Sequence, residues 1–231
     1  MKSRIPAGLK YAVFDLDNTL VEGRVASYIG KSYFFRELFG LRIGHLYKGW
    51  KGMKSVKEIL KEGGEDAEAR GMEAFMGVLG ETRIATWDSI YDYAKKAVEK
   101  HELPGAKEFV GKCKNNGLQT YIATLGLLIS AQAARDYFGA DAARGNSLIA
   151  ENGIIRGVKL TMKTGEDRLR EVRTIANVNE ALVVGNDRLD WPLMDAAGFS
   201  VAAPLADEET KKRADITITD FRELEFEPRK V

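Results

Sequence analysis

Tyr11-Ala12-Val13-Phe14-Asp15-Leu16-Asp17-Asn18-Thr19-Leu20 is the stretch that decides the fold. Its first four residues show no polar alternation, which describes a strand covered on both faces, as in a parallel sheet. The strand then runs into a loop holding two acids two positions apart. Working outward, Gln119-Thr120-Tyr121-Ile122-Ala123, Ala181-Leu182-Val183-Val184 and Ile216-Thr217-Ile218 have the same character. The first of these follows a helix-like stretch that opens at Pro104-Gly105 and stops at Asn116-Gly117. The second follows an amphipathic stretch with Leu169, Val172, Ile175 and Ala176 on one face. Strands alternating with helices predict βαβ units, hence an α/β fold with a doubly wound, Rossmann-like parallel sheet. Between Ser147 and Val158, the Asn152-Gly153 pair flanked by apolar residues predicts a β-hairpin at the sheet edge.

Between residues 22 and 102 this rhythm stops. Met53, Val56, Ile59 and Leu60 form one stripe at helical spacing, and Ile84, Trp87, Tyr91, Ala94 and Val98 form another, with breaks expected at Gly63-Gly64 and Gly80. The pattern predicts an all-helical insert, residues 22–102, in a core made of residues 1–21 and 103–231. The insert is expected over the carboxyl ends of the strands, where such a sheet holds its ligand. Residues 24 to 61 carry nine Lys/Arg and two acids, and 62 to 102 carry five Lys/Arg and ten acids. A solvated helix face accounts for this split more economically than an anion-attracting patch.

Composition narrows the function. The 231 residues are 45% hydrophobic and 30% charged, enough for one large domain or a domain plus an insert. A net charge of +1 gives no global field to draw in nucleic acid or a membrane surface, so neither is an expected partner. Cys113 is the single cysteine, which excludes an intramolecular disulfide and any Cys-rich metal site; it shares a face with Phe109 and Val110 and is expected to be buried and inert. His45 and His101 are the two histidines, and neither is given a role. Chemistry must therefore come from carboxylates, lysines and hydroxyls. No apolar run reaches the roughly 20 residues of a membrane helix, so a cytoplasmic address is expected, and separately a monomer or homodimer. Trp50, Trp87 and Trp191 read as packing residues.

Asp15 and Asp17 are the pair on which a reaction can be built. Two carboxylates crowded at a buried strand end do not both stay ionised without a cation or strong donors, and Mg²⁺ is the economical cation. The turn after such a strand also offers backbone N–H groups to a phosphate.

Phe14-Asp15-Leu16-Asp17-Asn18-Thr19-Leu20 resembles the first motif of the haloacid dehalogenase (HAD) superfamily. The resemblance implies that Asp15 attacks phosphorus to give an aspartyl-phosphate, that Asp17 is the general acid and base, and that the Asp17 carbonyl binds Mg²⁺. Thr124, in Ile122-Ala123-Thr124-Leu125-Gly126, resembles the second motif, whose hydroxyl holds the phosphoryl group, with Leu125 and Gly126 beside it. Lys163 fits the third motif, a cation that neutralises phosphate and nucleophile, with Lys159 as runner-up. Gly185-Asn186-Asp187-Arg188-Leu189-Asp190 resembles the fourth motif. There Asn186 stands where the family has an acid on the metal and Asp190 matches the second acid; Asp187 has no role in the family, and whether it swings in to replace the missing charge is left open. The metal set implied is Asp15, Asp17, Asn186 and Asp190.

Leu103-Pro104-Gly105-Ala106, Tyr137-Phe138-Gly139, Asn146-Ser147-Leu148 and the hairpin narrow the resemblance to the phosphoserine phosphatase-like branch, with the insert as a helical cap. That branch has a Glu for the substrate ammonium nine residues after the nucleophile; here the position is Arg24, with Glu22 off register and Arg70 a second candidate for a carboxylate. An Arg repels an ammonium and attracts a carboxylate or a second phosphate. The expected activity is Mg²⁺-dependent hydrolysis of a small-molecule phosphate ester. The alternatives are transfer of the same phosphoryl group to an alcohol, or a phospho-ligand-binding protein weakened by Asn186.

Overall fold

The computed structural model describes residues 3–39, 54, 58–59, 61, 64, 66–82 and 85–228. His45, Trp50, Met53, Val56, Leu60, Gly63 and Ile84 lie outside them. Strand β1 is Ser3–Ile5 and β2 is Tyr11–Phe14; helices α1 (Val25–Phe39), α2 (Ala67–Thr82) and α3 (Trp87–Lys100) follow. Then come α4 (Ala106–Asn115), β3 (Gln119–Leu127), α5 (Leu128–Phe138), β4 (Ala142–Glu151), β5 (Ile154–Lys159) and α6 (Gly165–Arg173). The chain closes with β6 (Ala181–Gly185), α7 (Trp191–Asp195), β7 (Phe199–Ala202), α8 (Glu208–Arg213), β8 (Ile216–Thr217) and β9 (Leu224–Phe226).

Seven strands form one sheet in the order β5-β4-β3-β2-β6-β7-β8, and β1 pairs with β9 apart from it. All pairings in the large sheet are parallel except β4 with β5. Phe14 lies opposite Ile122 on one side and Val184 on the other, so β2 is an interior strand. Its residues alternate between two apolar layers: Val13 packs with Leu169, Val172 and Leu193, and Ala12 and Phe14 belong with Phe109, Val110 and Cys113. Burial of each such large side chain contributes roughly 1.5–3 kcal/mol, which is why the run carries no polar residue. Sheet order reverses at β2, between β3 and β6, and the carboxyl ends of those three strands are where the crevice of such a sheet opens.

The hairpin is where Asn152-Gly153 put it. Both residues have positive φ, +51° and +77°, as a two-residue turn of this type requires. Its second strand also reaches the helical segment: Ile155 N–H donates to Ala85 O at 2.8 Å, and Thr86 bridges Ile154.

Several expectations need correcting. Helix α2 runs through Gly80 to Thr82 instead of breaking there, since a single interior glycine costs only about 1 kcal/mol. The next helix starts where Thr86 caps it, its hydroxyl accepting from Ser89 N–H. Trp87, the first residue of α3, is exposed and no packing residue. Trp191 does pack, with its indole N–H on Thr210 and Arg213 over its ring. Cys113 is buried, and burial pushes its thiol up, away from reactivity. No helix among the described residues is long and apolar enough to cross a membrane.

The chain crosses between the helices and the sheet twice, and the crossings are tied together. Glu22 N–H donates to His101 O at 2.8 Å, and Leu103 N–H donates to Leu20 O at 2.9 Å. Beside them the Tyr28 and His101 rings stack, centroids 3.9 Å apart.

Candidate active site

Asp15 follows β2 directly, its N–H still donating to Val184 O at 3.1 Å. The chain then turns tightly, with the N–H groups of Thr19, Leu20 and Val21 all directed at Leu16 O and Asn18 at φ +58°. Asn is among the few side chains that tolerate this region. The turn brings Thr19 Oγ1 to 3.2 Å from Asp15 Oδ2 and 2.9 Å from Asn186 Oδ1. One hydroxyl proton cannot satisfy both acceptors, so two hard oxygens converge with a donor to spare for only one.

Asp17 lines the same pocket, and its Oδ1 accepts from Val25 N–H at 2.9 Å, the opening of α1. The carboxyl end of β3 forms the opposite wall. The strand extends past Ala123, so Thr124 lies within it and not after it, and β3–β4 pairing becomes irregular between Ala123 and Leu127. Thr124 Oγ1 accepts from Gly126 N–H at 2.9 Å. A Cβ on Gly126 would stand 3.1 Å from Thr124 Oγ1 and 3.6 Å from Asp17 Oδ2, filling the space between hydroxyl and carboxylate. Leu125 is buried beside them, and Asn146 holds this end by donating to Leu125 O and Met162 O, both at 2.8 Å.

The structure does not bring Lys163 into this pocket. Lys163 is exposed, its N–H donates to Asp167 Oδ2, and it does not line the pocket; Lys159, at the end of β5, is exposed as well. Thr164 and Asp167 form a capping box that starts α6 after Lys163 and leaves the lysine in front of the helix, facing solvent. One turn further in, Arg168 is 2% exposed and donates from Nη1 to Asp15 Oδ1 at 2.8 Å. Its Nη2 bonds Leu189 O at 2.7 Å and Asp190 Oδ1. Its Nε has no hydrogen-bond partner among the described residues. The sequence held a signal for it: Arg168, Val172 and Ile175 share one helical face, so a charged residue interrupts an apolar stripe.

Asp190 is wholly committed within the protein. Its Oδ2 accepts from the N–H groups of Asn186, at 2.6 Å, and Asp187, at 3.1 Å, while Oδ1 holds Arg168. It occupies the N-cap position of α7 without capping it by its side chain. Gly185 makes this possible, since a Cβ there would lie 2.5 Å from Asp190 Cβ. Asp187 lines the pocket and accepts from Leu189 N–H. Among the described residues of the pocket lining, four carboxylates, those of Asp15, Asp17, Asp187 and Asp190, thus face two guanidinium groups, Arg168 and Arg24. Burial, and then the charges of Asp190, Asp17 and Asp187, push the Asp15 carboxyl well above its ordinary range, with Arg168 pulling the other way.

Arg24 lines the pocket from the start of α1, whereas Glu22 is exposed and Arg70 pairs with Asp66 outside the lining. Hard oxygens, converging acceptors and excess negative charge fit a divalent cation such as Mg²⁺. Among the described residues no three His, Cys, Asp or Glu side chains are grouped to hold one unaided. A cation here would depend on Asp15, the Asn186 amide oxygen, main-chain oxygen and water.

Comparison with known proteins places this geometry in a family. The model of the haloacid dehalogenase-like hydrolases matches residues 12–195, and the chain belongs to that family. A phosphoserine phosphatase of Albidiferax ferrireducens is 32% identical over 109 residues, covering 43% of this chain and 46% of that one, so the match spans about half of that relative. A phosphoserine phosphatase of Methanocaldococcus jannaschii is 25% identical over 224 residues, covering 93% and 95%. A solved structure described as a phospho-aspartyl intermediate analogue of phosphoserine phosphatase shares the fold, with TM-score 0.65, 22% identity and coverage of 93% and 96%. Beyond the family, the chain is similar to phosphoserine phosphatases, in one case along nearly its whole length.

Proposed function

We propose that this protein is a Mg²⁺-dependent phosphatase that hydrolyses a small phosphomonoester through an aspartyl-phosphate on Asp15. The observation that carries the reading is the arrangement at the ends of β2 and β3: one oxygen of Asp15 held by Arg168, the other turned toward Thr19, and the Asp17–Gly126–Thr124 cradle alongside. In the first step an Asp15 oxygen forms a bond to phosphorus while the bond from phosphorus to the alcohol oxygen breaks. Asp17, protonated, gives its proton to that leaving oxygen. Water then attacks phosphorus, its proton returns to Asp17, and the Asp15–phosphorus bond breaks. Arg168 fixes the nucleophile by one oxygen and leaves the other for attack, and the Thr124 hydroxyl and nearby N–H groups receive the phosphoryl oxygens.

Bound Mg²⁺ would supply charge neutralisation between nucleophile and phosphate, held by Asp15, Asn186 Oδ1 and the Asp17 carbonyl. Asp190 acts as a positioning group for Arg168 and the Asn186 backbone. Residues 22–102 serve as a cap on the core of residues 1–21 and 103–231, hinged where Glu22 and Leu103 tie the crossings.

Phosphate release from a chromogenic phosphomonoester, with Mg²⁺ and with chelator, tests the reading: turnover that chelator removes is expected. Asn186→Asp adds one negative charge to the cation's surroundings and is expected to lower the half-saturating Mg²⁺ concentration by about tenfold. Activity appearing only in Asn186→Asp would instead favour a site that has lost turnover and binds phospho-ligands.

A further inference from the structure

The pocket has two unlike sides. Its floor is the polar set of Asp15, Asp17, Thr124, Arg168 and Asn186, and its roof is built by α1 and α2. Among the described lining residues, Arg24 is the only charged side chain of that roof; Ser27, Gly30, Met72 and Phe75 stand around it. A glycine lets the apolar part approach closely. A Cβ on Gly30 would lie 2.8 Å from two ring atoms of Phe75, so the ring rests directly against the α1 backbone.

This division bears on what the ester can carry beyond its phosphate. A positive group on the alcohol portion would meet Arg24 and an apolar wall, with no carboxylate among the described roof residues to receive it. The floor offers it little, because both oxygens of Asp190 are taken, Asp187 already accepts from Leu189 N–H, and Asp15 and Asp17 belong to the reaction. A negative group would instead find a guanidinium suited to bidentate binding of carboxylate or phosphate. Resting on the phosphatase reading, we propose that the pocket selects phosphomonoesters whose short alcohol portion carries a second anionic group and no ammonium. Arg24 is the residue that determines this specificity.

Four small esters isolate the group in question: phosphoglycolate (carboxylate), ethane-1,2-diyl bisphosphate (second phosphate), n-propyl phosphate (neutral) and phosphoethanolamine (ammonium). In the wild-type protein kcat/KM for the better of the two anionic esters should exceed that for n-propyl phosphate by about tenfold, with phosphoethanolamine below it by a similar factor. The order of the first two identifies which anion is read. Arg24→Gln should bring the anionic-to-neutral ratio to within about twofold, acting through KM, Arg24→Lys should keep its direction, and Arg24→Glu should reverse it in favour of phosphoethanolamine. These are ratios within one protein, so partial loss of folded material does not affect them. Turnover of the neutral ester without anionic preference, or a ratio unmoved by Arg24→Gln, overturns the substrate class and leaves the phosphatase standing. Absence of turnover on all four overturns both.

Discussion

Asp15→Asn is expected to lower phosphate release by about 10⁴-fold or more while leaving the protein folded. The amide has the shape of the carboxylate and can still accept from Arg168 Nη1 through its oxygen, so the contacts around β2 need not change. What it loses is the negative charge on which the proposed attack at phosphorus depends. Its removal also takes away a negative group from a place where burial and three neighbouring acids already oppose ionisation. Circular dichroism and urea unfolding read the fold, and single-turnover phosphate release reads the chemistry. Loss of release together with loss of structure would leave the nucleophile unproven, which is why Asn is the test and not Ala.

The second large effect falls on a residue outside the four motifs as their spacing suggests them. Arg168→Ala leaves Asp15 and Asp190 buried without their shared cation, a change of the kind that costs about 3–5 kcal/mol. In the molecules that remain folded, turnover should fall by about 10²–10³-fold, because the nucleophile loses its fixed orientation and the site its cation. Lys163→Ala, by contrast, removes an exposed side chain, and its effect on stability should stay within about 0.5 kcal/mol with turnover little changed. Urea midpoints and kcat on both variants separate the two residues; Arg168→Lys should recover part of the turnover but not the double link to Asp15 and Asp190. If Lys163→Ala were the inactive one, the lysine would have to enter the site in a conformation different from this one.

Much of the fold is legible because burial writes itself into sequence. Tyr11–Phe14 reads as an interior strand since any polar residue there would face an apolar layer, and Asn152-Gly153 reads as a hairpin since both residues take positive φ. Strand β7, Phe199–Ala202, carries Ser200 in its middle and is only four residues long, so periodicity does not separate it from a loop; pairing with β6 and β8 makes it a strand. The β1–β9 pair is invisible for the same reason, each strand having three residues and a partner at the far end of the chain. Gly80 misleads in the other direction, because packing of a long helix outweighs the weak preference of one residue.

In the pocket lining, residues placed by strand ends and the turns after them were legible, and one whose side chain arrives from the inner face of a helix was not. Asp15, Asp17 and Thr124 converge because strand ends converge, and Arg24, Leu125, Gly126 and Asn186 join them in the pocket lining. Lys163 is expected as the cation because it opens the helical stretch Lys163-Thr164-Gly165-Glu166, but a place at the start of a helix does not record which face of α6 turns inward. The capping box at Thr164 and Asp167 sets that face, and it selects Arg168. Asp190 was legible in position yet not in use: its two oxygens serve N–H groups and a guanidinium, an engagement that only the folded loop after Gly185 brings about.

The central claim is a covalent phosphoryl group on Asp15, and rapid acid quench of the protein with a substrate it turns over, followed by peptide mass spectrometry, tests it most directly. The expected result is one phosphoryl group on the peptide containing Asp15, absent from Asp15→Asn. A wild-type protein that releases phosphate under the same conditions with no such group at any quench time, or an Asp15→Asn protein that keeps its turnover, would contradict it.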